Sequence, residues 1–449
     1  MIGPEHRFDV VVAGGGIAGS AAAAALSGLG YEVAIVEPGM DASRRLAGEL
    51  VHPTGAAALA QLGLLDAARG EDRSDVTGFS VRFGGAVDSK VVRLPYSVSG
   101  APANPAFAME HNRMRERLFA AVARMTRVTV LDRSRITSVD PDDGAHASVR
   151  ISTPAGEALL RPRLLVGADG ASSPVSRLAG IAQRRERIST LFGLVLEGKP
   201  LPDPGYGHVF LGGCGPVLAY PIACGAVRVM FDVPDSPAGP RTAEACSASL
   251  AALPEPFRGE VARALENSRI IASASYNAGM REIVRGRLAL VGDAAGCCHP
   301  LTATGLTVCA HDALRLRDAL RDTGGDIVRA LPLYARRRRA PQRTRLILAR
   351  ALYEVLCGHT PESRLMRDGL REYWNGGSNA RTRSMALVST AEDRLCMMLM
   401  ELARVMLYSI GARLSDAWRE GRFAPAQTRA LLALPRLVLR HAGETLRTT

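Results

Sequence analysis

FDVVVAGGGIAGSAAAAALSGLGYEVAIVE, Phe8 to Glu37, is the stretch on which the fold turns. Phe8 to Ala13 is an apolar run of the length of a buried parallel strand. Gly14, Gly16 and Gly19 follow in G-x-G-x-x-G spacing. In that spacing Gly14 makes a tight turn, Gly16 lets main chain approach a pyrophosphate, and Gly19 lets the next helix pack against the strand. SAAAAAL is strongly helix-forming, so the helix N-terminus, with Ile17 and Ala18 in its first turn, presents free N–H groups to phosphate. Tyr31 to Val36 reads as a second strand. Glu37 closes it, near the spacing expected of a ribose-hydroxyl acceptor. Strand, turn, helix, strand and acid stand in register, which predicts a dinucleotide-binding unit; the alternative is a chance glycine-rich turn. This stretch alone does not separate FAD from NAD.

Two later loops extend the pattern. RPRLLVGADGASSPVSRLAGI, Arg161 to Ile181, runs a strand into Gly167-Ala168-Asp169-Gly170 and then a helix. GRLALVGDAAGCCHPLTATGL, from Gly286, repeats this with Gly292-Asp293, a loop through His299-Pro300, and a helix opening near Gly305. NAD does not need two such loops. They suit a longer cofactor lying across several strand ends. The fold class is α/β.

Composition bounds the rest. The 449 residues are 47% hydrophobic and 22% charged, which is globular and long enough for two or three structural units. The net charge of +12 is almost all arginine, since Lys90 and Lys199 are the only lysines. Such a surface suits nucleic acid, an anionic membrane or an acidic partner, or reflects an arginine-rich genome. No nucleic-acid-binding motif accompanies it, so no nucleic-acid partner is expected. Cys214, Cys224, Cys246, Cys297, Cys298, Cys309, Cys357 and Cys396 include no C-x-x-C pair. Neither a metal site nor a disulfide framework is expected, and reduced thiols fit a cytoplasmic protein. No signal peptide and no membrane-spanning helix is expected.

The order of the three glycine motifs resembles FAD-dependent group A monooxygenases. Five further stretches narrow the resemblance to squalene epoxidase over nearly the whole chain: RRLAGELVHPTGAAALAQLGLLD (Arg44 to Asp66), MEHNRMRERL (Met109 to Leu118), GPVLAYPIACGAVRVMFDVP (Gly215 to Pro234), HPLTATGLTV (His299 to Val308) and LARALYEVLCG (Leu348 to Gly358). The resemblance implies an FAD-binding Rossmann-like domain of the glutathione-reductase/PHBH type, an inserted β-sheet substrate domain and a C-terminal helical region. It implies that Asp293 meets the ribityl chain, and that the helix at Gly305 and Leu306 aims its positive end at the flavin. Arg45 and Arg113 would contact FAD alongside Glu37, with Pro38, Asp169, Gly292 and Pro300 in the same cradle. Tyr96 would lie beside flavin and substrate. A reduced flavin would react with O₂ to a C4a-hydroperoxide, which oxygenates a C=C bond. A reductase of prenyl double bonds and an aromatic hydroxylase are the alternatives.

Departures from the family pattern carry expectations of their own. Thr302-Ala303-Thr304-Gly305-Leu306-Thr307 stands where the family loop reads TGGGMT, and alanine and threonine resist positive φ, so a different loop path is expected. His52 replaces a family glutamine. A Tyr96–His52 contact would substitute for a Tyr–Gln hydrogen bond and titrate near neutral pH; His52 and Tyr96 are the candidate catalytic pair. Pro38 replaces a common basic residue, and no N-terminal membrane anchor is expected.

The cofactor domain is expected in three pieces, 1–75, 106–185 and 276–335, with the substrate sheet from 76–105 and 186–275, and helices over 336–449. RRRRAPQRTR, Arg336 to Arg345, reads as a solvated charge run or a headgroup patch. Arg413, Arg419, Arg422, Arg429, Arg436 and Arg440 face water or snorkel to headgroups. The expected partners are a lipophilic substrate, O₂, and NAD(P)H acting directly or through a flavin or flavoprotein reductase. Expected location is the cytoplasm, with peripheral contact to the inner membrane face through the C-terminal helices.

Overall fold

The structure is a computed structural model and describes residues 5, 6, 8–40, 46–84, 90–96, 104–223, 225–235, 242–420 and 443. Arg45 lies outside them, as do Arg422, Arg429, Arg436 and Arg440, and the side chain of Arg419.

Apolar runs make the central sheet. Val10–Ala13, Val33–Glu37, Val128–Asp132, Leu164–Gly167 and Leu288–Leu290 pair in parallel, in the spatial order 288–290, 164–167, 10–13, 33–37, 128–132. Val284–Arg285 adds an antiparallel edge. Both faces of the four inner strands are covered, which is why they read as near-unbroken hydrophobic runs, while the edge strand Val128–Asp132 exposes Thr129 and Asp132. The alanine helix Ile17–Ser27 is almost wholly buried between this sheet and its neighbours. Parallel pairing brings Gly14, Glu37, the Gly167–Gly170 loop and Gly292-Asp293 to the same edge of the sheet, where ligands bind in such folds. A four-stranded sheet of Glu5–His6, Gly156–Leu160, His146–Thr153 and Arg135–Asp143 lies beside it.

A second, seven-stranded sheet has the order Ile271–Gly279, Arg184–Glu197, Ala226–Pro234, Val217–Ala223, Tyr206–Phe210, Gly78–Phe83, Lys90–Pro95. Its side chains alternate between two cores, as the two-residue period of a strand requires. Val217, Ala219, Val227 and Val229 face the helices Thr242–Ser249 and Phe257–Asn267. Leu218, Tyr220, Ile222 and Met230 face the C-terminal helices.

Those helices are Ile327–Cys357, Pro361–Asn375, Ser378–Val388 and Leu395–Glu420. The first runs unbroken across position 336. Leu395–Leu414 is long and apolar enough to cross a membrane, with a mean hydropathy of 1.5. That differs from the sequence expectation, which weighed the interrupting charges more heavily. One face of this helix packs on Pro361–Asn375: Ser409 Oγ lies 3.6 Å from the sulfur of Met366, and an added Cβ at Gly369 would come within 1.9 Å of the same hydroxyl. The other face exposes Leu399, Met400, Leu407 and Leu414 at helical spacing.

Candidate active site

The glycine motif is built for close approach. Gly14 has φ +95, a left-handed conformation that only glycine adopts at little cost. A Cβ at Gly19 would lie 1.9 Å from the Gly14 carbonyl oxygen, so helix and turn touch here. A Cβ at Gly16 would meet nothing within 4 Å, so this N-cap opens onto free space. Ile17 and Ala18 begin the helix and are buried. Glu37 accepts hydrogen bonds from Gly15 N–H at 2.6 Å and Gly39 N–H at 3.0 Å, and Pro38 is exposed.

The other expected cofactor residues divide. Gly292 is left-handed at φ +59 and turns the chain so that Asp293 opens on the crevice. The Asp293 carboxylate accepts no hydrogen bond from the described residues. The carboxylate is open to the crevice, yet the protein around it pushes its pKa up by desolvation, against the opposing charges of Arg345, His111 and Arg338. Pro300, Gly305 and Leu306 stand on the loop and first turn beyond it, with Gly305 exposed at the start of the helix Gly305–Asp322. Asp169 instead takes hydrogen bonds from Ser173 Oγ at 2.6 Å and Val175 N–H at 2.8 Å, which holds its own loop to the next helix. Arg113 pairs with Asp72 at 2.5 Å on the surface. Its neighbour Arg115 reaches inward to the Met40 carbonyl beyond Glu37.

His52 and Tyr96 meet, with Nδ1 2.7 Å from the phenol oxygen. The Nε2 of His52 lies 2.9 Å from the Thr302 carbonyl oxygen. A carbonyl only accepts, so Nε2 carries the proton, Nδ1 accepts, and Tyr96 must donate. The expected titration near neutrality does not hold. Burial pushes His52 down to about 4, and burial raises the Tyr96 phenol well above its usual range. The pair is neutral, and it ties the sheet of the second domain to the loop after Asp293. In the loop where a different path was expected, Ala303 sits at φ +52, a conformation that glycine adopts more readily than alanine.

His299 explains the His-Pro opening of that loop. Its Nδ1 accepts from Leu301 N–H at 3.2 Å and so caps the short turn Pro300–Thr302. Its Nε2 faces Asp232 and Ser189, each at 3.0 Å, and Tyr353 packs on its ring with centroids 4.4 Å apart. Glu49 receives a two-pronged ion pair from Arg228 at 2.7 and 2.9 Å and a hydrogen bond from Tyr220 at 3.0 Å, all buried. Sequence reasoning missed both clusters, because every side-chain partner lies more than fifty residues away in the chain.

It also missed Arg338, Gln342 and Arg345. They are buried, not solvated. Their spacing continues the inward stripe of Ile327, Ala330, Leu331 and Tyr334, a helical period that was available in the sequence.

Beyond Tyr96 and His52 lies a cavity lined almost wholly by apolar side chains. Phe79, 6.2 Å from the Tyr96 ring, and Leu301 line its near end. Leu352, Val355, Leu370 and Trp374 line its body. At the far end Glu401 is bound by Tyr373 at 2.7 Å, Ser384 at 3.0 Å and Arg383 at 3.2 Å.

The crevice fits a flavin dinucleotide. The open N-cap at Gly16 suits a pyrophosphate, and the unengaged Asp293 carboxylate suits a polyol. Solved structures agree in fold. p-Nitrophenol 4-monooxygenase PnpA from Pseudomonas putida superposes with a TM-score of 0.72 over 87% of this chain and 99% of its own, at 20% identity. A variant of HpxO from Klebsiella pneumoniae, complexed with FAD, gives 0.69 over 86% and 98%, at 21% identity. In sequence, squalene epoxidase 2, mitochondrial, of Arabidopsis thaliana is 30% identical over 90% of this chain and 71% of its own. Squalene epoxidase erg1 of Schizosaccharomyces pombe is 26% identical, with 90% of each chain covered. A family model of squalene epoxidase matches residues 162–420, which takes in five of the seven strands of the second sheet, the Asp293 loop and the helices around the cavity. The chain therefore belongs to the squalene epoxidase family and is an FAD-dependent monooxygenase.

Proposed function

We propose that this enzyme epoxidises a carbon–carbon double bond of a large lipophilic substrate, an isoprenoid or a prenylated or polyketide product, in secondary metabolism. The observation that carries the substrate class is the apolar cavity, whose near end at Phe79 and Leu301 adjoins the Tyr96–His52 pair and the cofactor loop. FAD, when bound, supplies the activation of O₂. The chain holds it through Gly14, Gly16, Gly19 and Glu37 at one end and through Asp293, Pro300, Gly305 and Leu306 at the other. Tyr96 and His52 position the wall between cofactor and substrate and keep it dry, without moving a proton near neutral pH. Transfer of oxygen to an alkene asks for no acid–base pair, which suits a wall held neutral. Electrons come from NAD(P)H, directly or through a separate reductase. The enzyme works in the cytoplasm and rests on the inner membrane face through the exposed stripe of Leu395–Glu420, a docking that vesicle sedimentation tests.

The deciding experiment supplies FAD-loaded protein with NADPH or a reductase, ¹⁸O₂, and a panel of squalene and prenylated aromatics. The expected product is an epoxide, or the diol from its opening, with one labelled oxygen. A product that gains two hydrogens and no label would make the enzyme a prenyl reductase. Labelled hydroxyl on an aromatic ring would make it an aromatic hydroxylase.

A further inference from the structure

The helix Ile327–Cys357 grips the back of the Asp293 loop. Tyr334 donates to the Leu290 carbonyl at 2.7 Å. Arg338 donates to the carbonyls of Ala295 at 2.8 Å and Gly292 at 3.3 Å. Its Nε pairs with Asp312 at 2.8 Å, and the same Asp312 oxygen accepts Gly292 N–H at 3.0 Å. Arg345 donates to the Gly296 carbonyl at 3.4 Å and to the side-chain oxygen of Gln342. Gly296 leaves no room for a side chain: a Cβ would come within 2.6 Å of the Ala278 carbonyl oxygen and 2.9 Å of Gln342 Nε2.

The two arginines differ in charge balance. Arg338 is neutralised by Asp312. Arg345 is buried and, among the described residues, has no carboxylate within 4 Å. Its Nε–H has no acceptor. A buried cation without a counter-ion is costly and persists only where something else uses its field. The nearby carboxylate that is also without a hydrogen-bond partner among the described residues is Asp293.

We infer that Arg345 is a positioning residue for the cofactor: it braces the loop through Gly296 and keeps the Asp293 carboxylate ionised, so that it accepts hydrogen bonds from the polyol of FAD. This rests on the reading that Asp293 faces the cofactor. The groups facing Asp293 are Arg338 and Arg345 from the long helix, Asp312 from Gly305–Asp322, His111 from His111–Ala123, and the thiols of Cys297 and Cys309. Arg345 is the strongest of those that favour the ionised form. Removing a neighbouring opposite charge lifts a carboxylate's pKa. Asp293 then takes up a proton at a higher pH than it does beside Arg345, and a protonated carboxyl is a poorer acceptor.

The test measures FAD dissociation constants of the full chain at pH 8 and pH 6 by flavin fluorescence. Arg345→Met and Arg345→Gln should both lose about tenfold more affinity than wild type on going to pH 6. Arg345→Lys should follow wild type. In an Asp293→Asn background the extra acid loss should vanish. Parallel profiles for wild type and the neutral variants would overturn the inference, as would an acid loss that persists with Asp293→Asn. Asp293→Asn alone binding FAD like wild type would overturn the reading of the site instead.

Discussion

At the scale of single residues, Ala303 and His52 show how a substitution is absorbed. Ala303 occupies a left-handed conformation that costs an L-residue about 1–2 kcal/mol, against about 0.5–1 kcal/mol of extra chain entropy for glycine. Ala303→Gly should therefore stabilise the FAD-saturated protein by up to about 1 kcal/mol in urea denaturation. A loss of stability would show that the alanine methyl makes contacts worth more than the strain. Such strain cannot be read from sequence, because it depends on where the loop is anchored at both ends. His52 is the converse case. Its meeting with Tyr96 was legible from the motif it stands in. Its neutrality was not, because that follows from burial and from the Thr302 carbonyl, 250 residues away.

At the scale of elements, the strand–turn–helix units declared themselves through glycine spacing and apolar runs. Their residues are adjacent in sequence, and each glycine has one local job. The long helix did not declare itself. Four consecutive arginines suggest solvent, yet Arg338 turns inward because every fourth or third position of this helix faces the core. The tail helix Leu395–Glu420 was hard to read for a different reason. Glu401 interrupts its apolar run, but the glutamate is buried against Tyr373, Ser384 and Arg383, and so it leaves the outer face apolar. That face predicts binding to vesicles: the protein should co-sediment with liposomes, and Leu407→Glu with Leu414→Glu should release it. Wild-type protein left wholly in the supernatant with both anionic and neutral vesicles would dispose of membrane docking.

At the scale of the whole molecule, buried histidines set the acid limit. His52, His208 and His311 are each pushed down to about 4, in every case first by burial. Their unfolded values lie near 6.5, so the unfolded chain takes up these protons first. The stability they contribute is complete above about 6.5 and is lost as pH falls toward 4, at up to about 1.4 kcal/mol per pH unit for each histidine. The melting temperature of the FAD-saturated protein should fall steadily from pH 6.5 to 4.5. A flat profile over that range would mean that these rings titrate much as they do in water. The overall architecture was legible because parallel sheets and two-residue alternation leave strong patterns. The pairing of loops with distant helices was not, since nothing local encodes it.

The long helix has one further consequence. Its first half holds the carbonyls behind Asp293, and its second half supplies Leu348, Leu352 and Val355 to the wall of the cavity. A rigid rod that serves both ends makes them inherit each other's changes. Lineages or laboratory selections that reshape the cavity through this helix also tilt the flavin's seat, whereas changes made through Phe79, Leu94 or Val209 on the facing sheet leave it alone. New substrates should therefore be won first on the sheet side, with the helix side held back by the cofactor it supports.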